Sequence, residues 1–171
     1  LLFTFLILYF FSYISYKLKL VDIPGKRKKH LEPTAYTGGL ALSIVFLIGI
    51  KLFNFSDQAL DLIVSTSFLI SIVGFIDDKY DLNIGSKLSL QAIPIIYLII
   101  FGNISVNSLG NYLNYDLELS SFSIPFTILC VFLVINASNY FDGIDGGLCT
   151  TFLSSITIFF LLIPDFNIKL F

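Results

Sequence analysis

The sequence predicts an all-α polytopic membrane protein, with five or six transmembrane helices of a larger bundle lying in a single membrane domain, 1–171. Three observations carry this. Of 171 residues, 56% are hydrophobic and 13% charged, with mean hydropathy +0.89, whereas soluble chains are about a quarter charged. Apolar runs recur along the whole chain, at 1–16, 39–53, 59–76, 90–101, 122–137 and 148–163. Nearly all the charges gather between these runs, with only Lys51 and Asp61 inside them. This composition excludes an ordinary soluble domain and places the chain in a lipid bilayer. Nothing in it points to nucleic acid.

The first run is not a signal peptide, because its positive charges, Lys17 and Lys19, follow the apolar stretch instead of preceding it. It reads as a stop-transfer span. The chain contains no Met and begins inside an apolar run, so a partial sequence is expected. A crossing takes about 20 apolar residues, and several of the runs must therefore recruit flanking residues. Run 90–101 is short and contains Pro94, which a membrane helix tolerates because neighbouring helices satisfy the freed backbone groups. Cys130 and Cys149 fit no metal or redox spacing and read as small apolar fillers.

Orientation follows from the basic residues. Lys17, Lys19, Lys26, Arg27, Lys28 and Lys29 occupy the loop after the first run, and Lys79 and Lys87 the loop after the third. Alternation puts both loops on one side, which the positive-inside rule makes cytoplasmic. The N-terminus is then outside, in a multi-pass protein of the cytoplasmic (inner) membrane. Residues 102–121 become external. There Ile104–Val106 and Asp116–Leu119 flank the turn-forming stretch Asn107-Ser108-Leu109-Gly110-Asn111, a pattern that admits a short β-hairpin.

The acidic residues are the informative part. Asp77 and Asp78 end the third run, and Asp142 and Asp145 follow the fifth. A topology built from lysine and arginine alone puts both pairs on the cytoplasmic side. A carboxylate at the end of an apolar helix faces a wet cavity or a partner, because desolvating it is costly. One such Asp is an ordinary interfacial cap. Two adjacent ones, with a second pair on the same face, point to a divalent cation or phosphate chemistry. Hard oxygen ligands suit Mg²⁺, with Mn²⁺ as the alternative.

Asn136, Asn139, Asp142 and Asp145 recur in steps of three, a spacing that keeps side chains near one another along a helix end. The same residues also suit a polar seam between helices. Helix continuity is expected to fail near Gly143 and Gly146-Gly147, where glycine lets backbone approach a ligand. The run Lys26–His30 reads equally as a topogenic signal meeting anionic lipid or as a site for an anionic substrate. Lys87 could hold a positive charge over the Asp77–Asp78 basin or could be a plain interfacial lysine.

Three stretches together resemble one family: VDIPGKRKKHLEPTAYTGGLAL at 21–42, GFIDDKYDLNIGSKLSLQ at 74–91 and NASNYFDGIDGG at 136–147. They are similar, in order and in membrane side, to the motifs of the polyprenyl-phosphate N-acetylhexosamine-1-phosphate transferases. That family includes undecaprenyl-phosphate GlcNAc-1-phosphate transferases and phospho-MurNAc-pentapeptide translocases.

The resemblance implies a Mg²⁺-dependent transfer of N-acetylhexosamine-1-phosphate, GlcNAc-1-phosphate first, from a UDP-N-acetylhexosamine to polyprenyl phosphate with release of UMP. Such a reaction opens the assembly of a cell-envelope polysaccharide. By the same resemblance Asp77 and Asp78 hold the metal or activate the lipid phosphate, and Asn139 lies in the metal shell. Asn136, Asp142 and Asp145 shape the nucleotide site, while Lys87 and His30 face phosphates. A homodimer is compatible with it. The family's C-terminal half is not in these residues, so this stretch alone is expected to have little activity, and an inactive remnant is one reading. A pentapeptide translocase is another. A CDP-alcohol phosphotransferase lacks its longer motif here, and a transporter would place its acids at mid-membrane.

Overall fold

The computed structural model describes residues 2–22, 33–54, 57–113, 115–141 and 147–162. Six helices account for most of them: α1 Leu2–Lys17, α2 Gly38–Leu52, α3 Gln58–Tyr80, α4 Ile84–Gly102, α5 Ser123–Phe141 and α6 Gly147–Leu162. Each coincides with one of the apolar runs, as expected of segments that must satisfy every backbone group internally within lipid. Three stretches, Gln58–Tyr80, Ile84–Gly102 and Ser120–Tyr140, are long and apolar enough to cross a membrane, while α1, α2 and α6 are shorter apolar helices. The protein is an all-α membrane protein carrying two small two-stranded sheets.

Side-chain burial agrees with a lipid solvent. Among the described residues only Ala41, Ile50, Val73, Pro94, Ile95 and Ile99 are buried apolar side chains, while Phe5, Tyr9, Phe46, Leu69, Ile93 and Leu133 stand exposed with many others. An apolar exterior on that scale would be a liability in water. In a bilayer it is the normal face of a helix.

The chain forms two compact units, Leu1–Ile128 and Leu129–Phe171. In the first, α2, α3 and α4 pack in sequence order. The ion pair between Lys51 Nζ and Asp61 Oδ2, at 3.4 Å, joins the end of α2 to the start of α3. Near the opposite end, Ser71 Cβ lies 4.0 Å from where a Cβ on Gly39 would stand. A Cβ there would make ordinary contact with Ser71, so the two helices lie within side-chain reach of one another at this end.

The α3–α4 register is fixed at both ends. Asp77 meets Lys87 at one. At the other, Leu62 Cδ1 lies 3.6 Å from the position of a Cβ on Gly102. The two helices are therefore antiparallel in constant register over about 22 Å. The buried residues of α4, Gln91, Pro94, Ile95 and Ile99, form one stripe at helical spacing, and Thr66 and Val73 form the answering stripe of α3. Thr66 Oγ1 is buried without a hydrogen-bond partner.

The first unit's α1 is tied to α2 by hydroxyls. Thr37 Oγ1 donates to the carbonyl of Phe11 at 3.2 Å, so its 2.8 Å contact with Ser15 Oγ has Ser15 as donor. Just outside lies a sheet that periodicity did not reveal: β1 Val21–Asp22 pairs antiparallel with β2 Thr34–Ala35. It brings together the two ends of residues 23–32, and Tyr16 reinforces it by donating its hydroxyl to the carbonyl of Pro33. Two-residue strands paired across such a gap leave no alternation to read.

Two sequence-based expectations need correction. Helix α4 recruits residues ahead of its short apolar run, beginning at Ile84 because Asn83 caps it. The Asn83 Oδ1 accepts the Ser86 backbone N–H at 2.8 Å. Lys79 and Lys87 are accordingly helical, in the last turn of α3 and the first of α4, and the connection between those helices is only residues 81–83.

The hairpin exists, but its first strand is β3 Ser108–Tyr112, the stretch read as a turn, paired with β4 Tyr115–Glu118. An irregularity between Ser108 and Asn111, centred on Gly110 at φ 107, absorbs the turn-forming residues as a bulge. Chain reversal occurs after Tyr112 instead.

Candidate functional site

The site begins where α3 runs out. Asp77 and Asp78 lie inside its last turn, and Asp81 ends it in the left-handed conformation, φ 49 and ψ 61, with its N–H bonded to the Asp77 carbonyl at 2.8 Å. Asn83 then opens α4, receiving Lys87 N–H on its own carbonyl at 3.0 Å. This short reversal places Lys87 Nζ 2.7 Å from Asp77 Oδ2, with both side chains 17% exposed.

Helical phase separates the two aspartates. Asp77 continues the Thr66–Val73 stripe and faces α4, whereas Asp78, about 100° further round, is exposed. The sequence presented them as an equivalent pair. In the fold, one is the partner of a lysine and the other is presented outward.

Both members of the ion pair sit at the unfavourable end of their helix. Acidic groups are favoured at helix N-termini and basic groups at C-termini, each by about 0.3–1 kcal/mol. Here two carboxylates stand at the C-terminal end of α3, and Lys87 at the N-terminal end of α4. Stability alone would put them elsewhere. Their mutual contact at 2.7 Å opposes that cost.

Gln91, one turn beyond Lys87 on the same buried face, is 3% exposed. Sequence reasoning passed over it. The signal was available: an amide four residues after Lys87 in an otherwise apolar helix. Asn83, which sets the start of α4, was likewise overlooked.

The remaining sequence-predicted residues divide by position. Asn136 and Asn139 belong to the second unit, in the last two turns of α5, where Asn136 Nδ2 donates to the Phe132 carbonyl at 2.9 Å. His30, Asp142 and Asp145 lie outside the described residues, as does the run Lys26–Lys29. Among the described residues no cluster of three or more Asp, Glu, His or Cys side chains could by itself hold a metal ion. Two neighbouring carboxylates nevertheless fit Mg²⁺, which keeps several waters and completes its shell with substrate phosphates.

A cavity of about 270 Å³ between the start of α3 and the end of α4, lined by Asp57, Gln58, Leu62, Phe101 and Asn103, lies at the far end of the helix pair. It is no part of this site.

Comparison with known proteins places the chain among relatives. The chain is 32% identical over 148 residues to the undecaprenyl-phosphate alpha-N-acetylglucosaminyl 1-phosphate transferase of Escherichia coli (strain K12), covering 85% of the chain and 40% of the relative. It is 29% identical over 153 residues to the protein of that name from Salmonella typhi, covering 86% and 41%. For that from Yersinia pestis the figures are 28% over 146 residues, covering 85% and 40%. The chain thus spans about two fifths of the length of the curated relatives it matches. No solved structure matches it at a significant level. Residues 60–169 match the model of glycosyl transferase family 4, a stretch that contains Asp77, Asp78, Lys87, Asn136 and Asn139, and the chain belongs to that family.

Proposed function

We propose that the whole protein transfers N-acetylhexosamine-1-phosphate, GlcNAc-1-phosphate in the first instance, from a UDP-sugar to polyprenyl phosphate. The Asp77–Asp78–Lys87 turn would be part of its active site, facing the cytoplasm. The observation that carries this is the Lys87–Asp77 contact of 2.7 Å beside an exposed Asp78. The names of the relatives support the acceptor and the sugar.

In the proposed reaction a phosphate oxygen of the lipid attacks the β-phosphorus of the UDP-sugar. A new phosphoanhydride bond forms, the bond to the nucleotide's α-phosphate oxygen breaks, and UMP leaves. Two anions must meet, so the site has to supply positive charge and hold the reactants in line. Lys87 supplies a fixed cation. With Asp77 as its partner it is desolvated and oriented before substrate arrives, and an incoming phosphate competes with that carboxylate for it. Asp78, exposed at the helix end, is the carboxylate more accessible to the reactants. Asp77 and Asp78 would hold Mg²⁺ or Mn²⁺, which when bound neutralises phosphate oxygens. The family resemblance adds Asn139 to the metal shell and assigns Asn136, Asp142 and Asp145 to the nucleotide and His30 to a phosphate.

The test is incorporation of radiolabelled GlcNAc-1-phosphate from UDP-GlcNAc into polyprenyl lipid by membranes containing the whole protein. Activity should vanish with a chelator and return with Mg²⁺. Asp78→Asn should lose at least about a hundredfold in kcat, the scale of one group lost from transition-state charge stabilisation, with the protein level in membranes unchanged. Wild-type turnover by Asp78→Asn would sink the assignment of the site. Exclusive use of UDP-MurNAc-pentapeptide would sink the choice of sugar.

A further inference from the structure

The β3–β4 hairpin, which joins α4 to α5 at the end of the helix pair opposite Asp77, has no part in the site described. Its register sorts its side chains into two unlike faces. Tyr112 pairs with Tyr115 and Asn111 with Asp116, while Ser108 pairs with Glu118. Paired residues share a face and alternate residues return to it. Tyr112, Tyr115 and Leu117 therefore lie on one face, and the bulge places Leu109 opposite Leu117 on that same face. The other face carries Ser108, Asn111, Asp116 and Glu118. The Asn111 Nδ2 donates to Asp116 Oδ1 at 2.8 Å, which confirms that grouping.

Among the described residues the apolar face is uncovered: Leu109, Tyr112, Tyr115 and Leu117 are all exposed, and at the tip Leu113 is 94% exposed. Leu113 also has φ 51. A left-handed leucine costs about 1–2 kcal/mol, and a water-facing turn would favour Asn or Gly there. A side chain that is both strained and fully exposed is unfavourable in water on two counts. Immersed in an apolar medium, it is unfavourable on one.

We propose that this hairpin is an interfacial anchor, seating Leu113 and the Tyr–Leu face in the headgroup–acyl boundary of the leaflet opposite the Asp77 turn. Tyrosines concentrate at that boundary, and interfacial elements bury their apolar face about 5–10 Å deep. The acidic face then points to water, away from anionic headgroups. The hairpin is built to hold such a pose. The Leu119 N–H bonds the Asn107 carbonyl at 2.8 Å, Ser123 Oγ bonds Asn107 Oδ1 at 2.8 Å, and Thr127 Oγ1 receives Val106 N–H at 2.9 Å. Its roots are thus fixed to the first turns of α5, and the exposed Phe101 and Phe122 that flank it continue the lipid-facing surface into it. A second copy of the chain is a poorer occupant, since a stable interface takes about 20–30 residues a side.

These 171 residues contain no Trp, so once any tryptophan elsewhere in the whole protein is replaced by Phe, single-tryptophan variants report cleanly. Leu113→Trp, Leu117→Trp and Asn111→Trp would be reconstituted in phosphatidylethanolamine–phosphatidylglycerol vesicles doped with phosphatidylcholine brominated near the headgroup or deep in the chain. Leu113→Trp and Leu117→Trp should be quenched about twofold or more above Asn111→Trp by shallow bromines, as an interfacial position requires. Asn111→Trp should be the one quenched by aqueous iodide. Adding Leu113→Asn, which relieves the backbone, should weaken the lipid quenching of Leu117→Trp while leaving helical circular dichroism unchanged. Equal iodide access at all three positions would overturn the proposal. So would stronger quenching by deep bromines, or protection that ignores brominated lipid and grows with protein density, which would mark a second copy as the occupant.

Discussion

Asp77 and Lys87 should behave as one unit when mutated. Each is 17% exposed and contacts the other at 2.7 Å. Removing either leaves a half-buried charge unpaired, which costs more than removing both. Asp77→Asn and Lys87→Met should therefore each destabilise the protein, and the double variant should be less unstable than their sum by about 0.5–3 kcal/mol, the range for contacting pairs. Thermal unfolding of the four forms in detergent measures this. Additive effects would mean that the contact is not maintained in the native state. Asp78→Asn, at a more exposed position, should lower the melting midpoint less than Asp77→Asn does while abolishing the proposed transfer. The two neighbours would thus separate into a stability phenotype and a catalytic one. The sequence could not distinguish them because α3 is apolar on all sides. In a lipid-facing helix the buried stripe and the exposed stripe are equally greasy, and phase emerges only from packing against α4.

At the scale of elements, the reversal between α3 and α4 sets the position of Lys87, and Asn83 sets the reversal. Its side chain holds Ser86 N–H at 2.8 Å and its carbonyl receives Lys87 N–H at 3.0 Å. Asn83→Ala removes the cap, typically worth about 1 kcal/mol, and frees the first turn of α4. Transfer activity should fall in kcat more than the melting midpoint would account for, and Asn83→Ser or Asn83→Asp, which also cap, should restore it. An Asn83→Ala protein with normal kcat would show that Lys87 holds its place without the cap. The six helices were legible because hydrophobicity is itself the membrane signal. What composition obscured was the edge of each element. Asn107-Ser108-Leu109-Gly110-Asn111 has the residues of a turn, yet the bulge at Gly110 accommodates it in a strand. The β1–β2 pairing brackets the basic run with two residues a side, too few to show a period.

At the scale of the molecule, the constant register of α3 against α4 makes a claim about sidedness that does not depend on any activity. Helix α3 has 23 residues and α4 has 19, about 35 and 29 Å long, against a hydrocarbon core of about 30 Å. Each can cross once, and because they are antiparallel the chain must return. Lys79 and the hairpin must then lie on opposite sides of the bilayer. The positive-inside rule goes further and makes the Lys79 side cytoplasmic, where nucleotide sugars are. Both steps can be read with an impermeant maleimide. In a background where Cys130, Cys149 and any cysteine elsewhere in the whole protein are replaced by Ser, Ser108→Cys should label in intact cells. Lys79→Cys should label only in inverted vesicles or after permeabilisation. Labelling of both positions from one side would contradict the antiparallel crossing. Labelling from opposite but exchanged sides would preserve the fold and overturn the cytoplasmic placement of Asp77 and Asp78, and with it the proposed use of a nucleotide sugar at this turn.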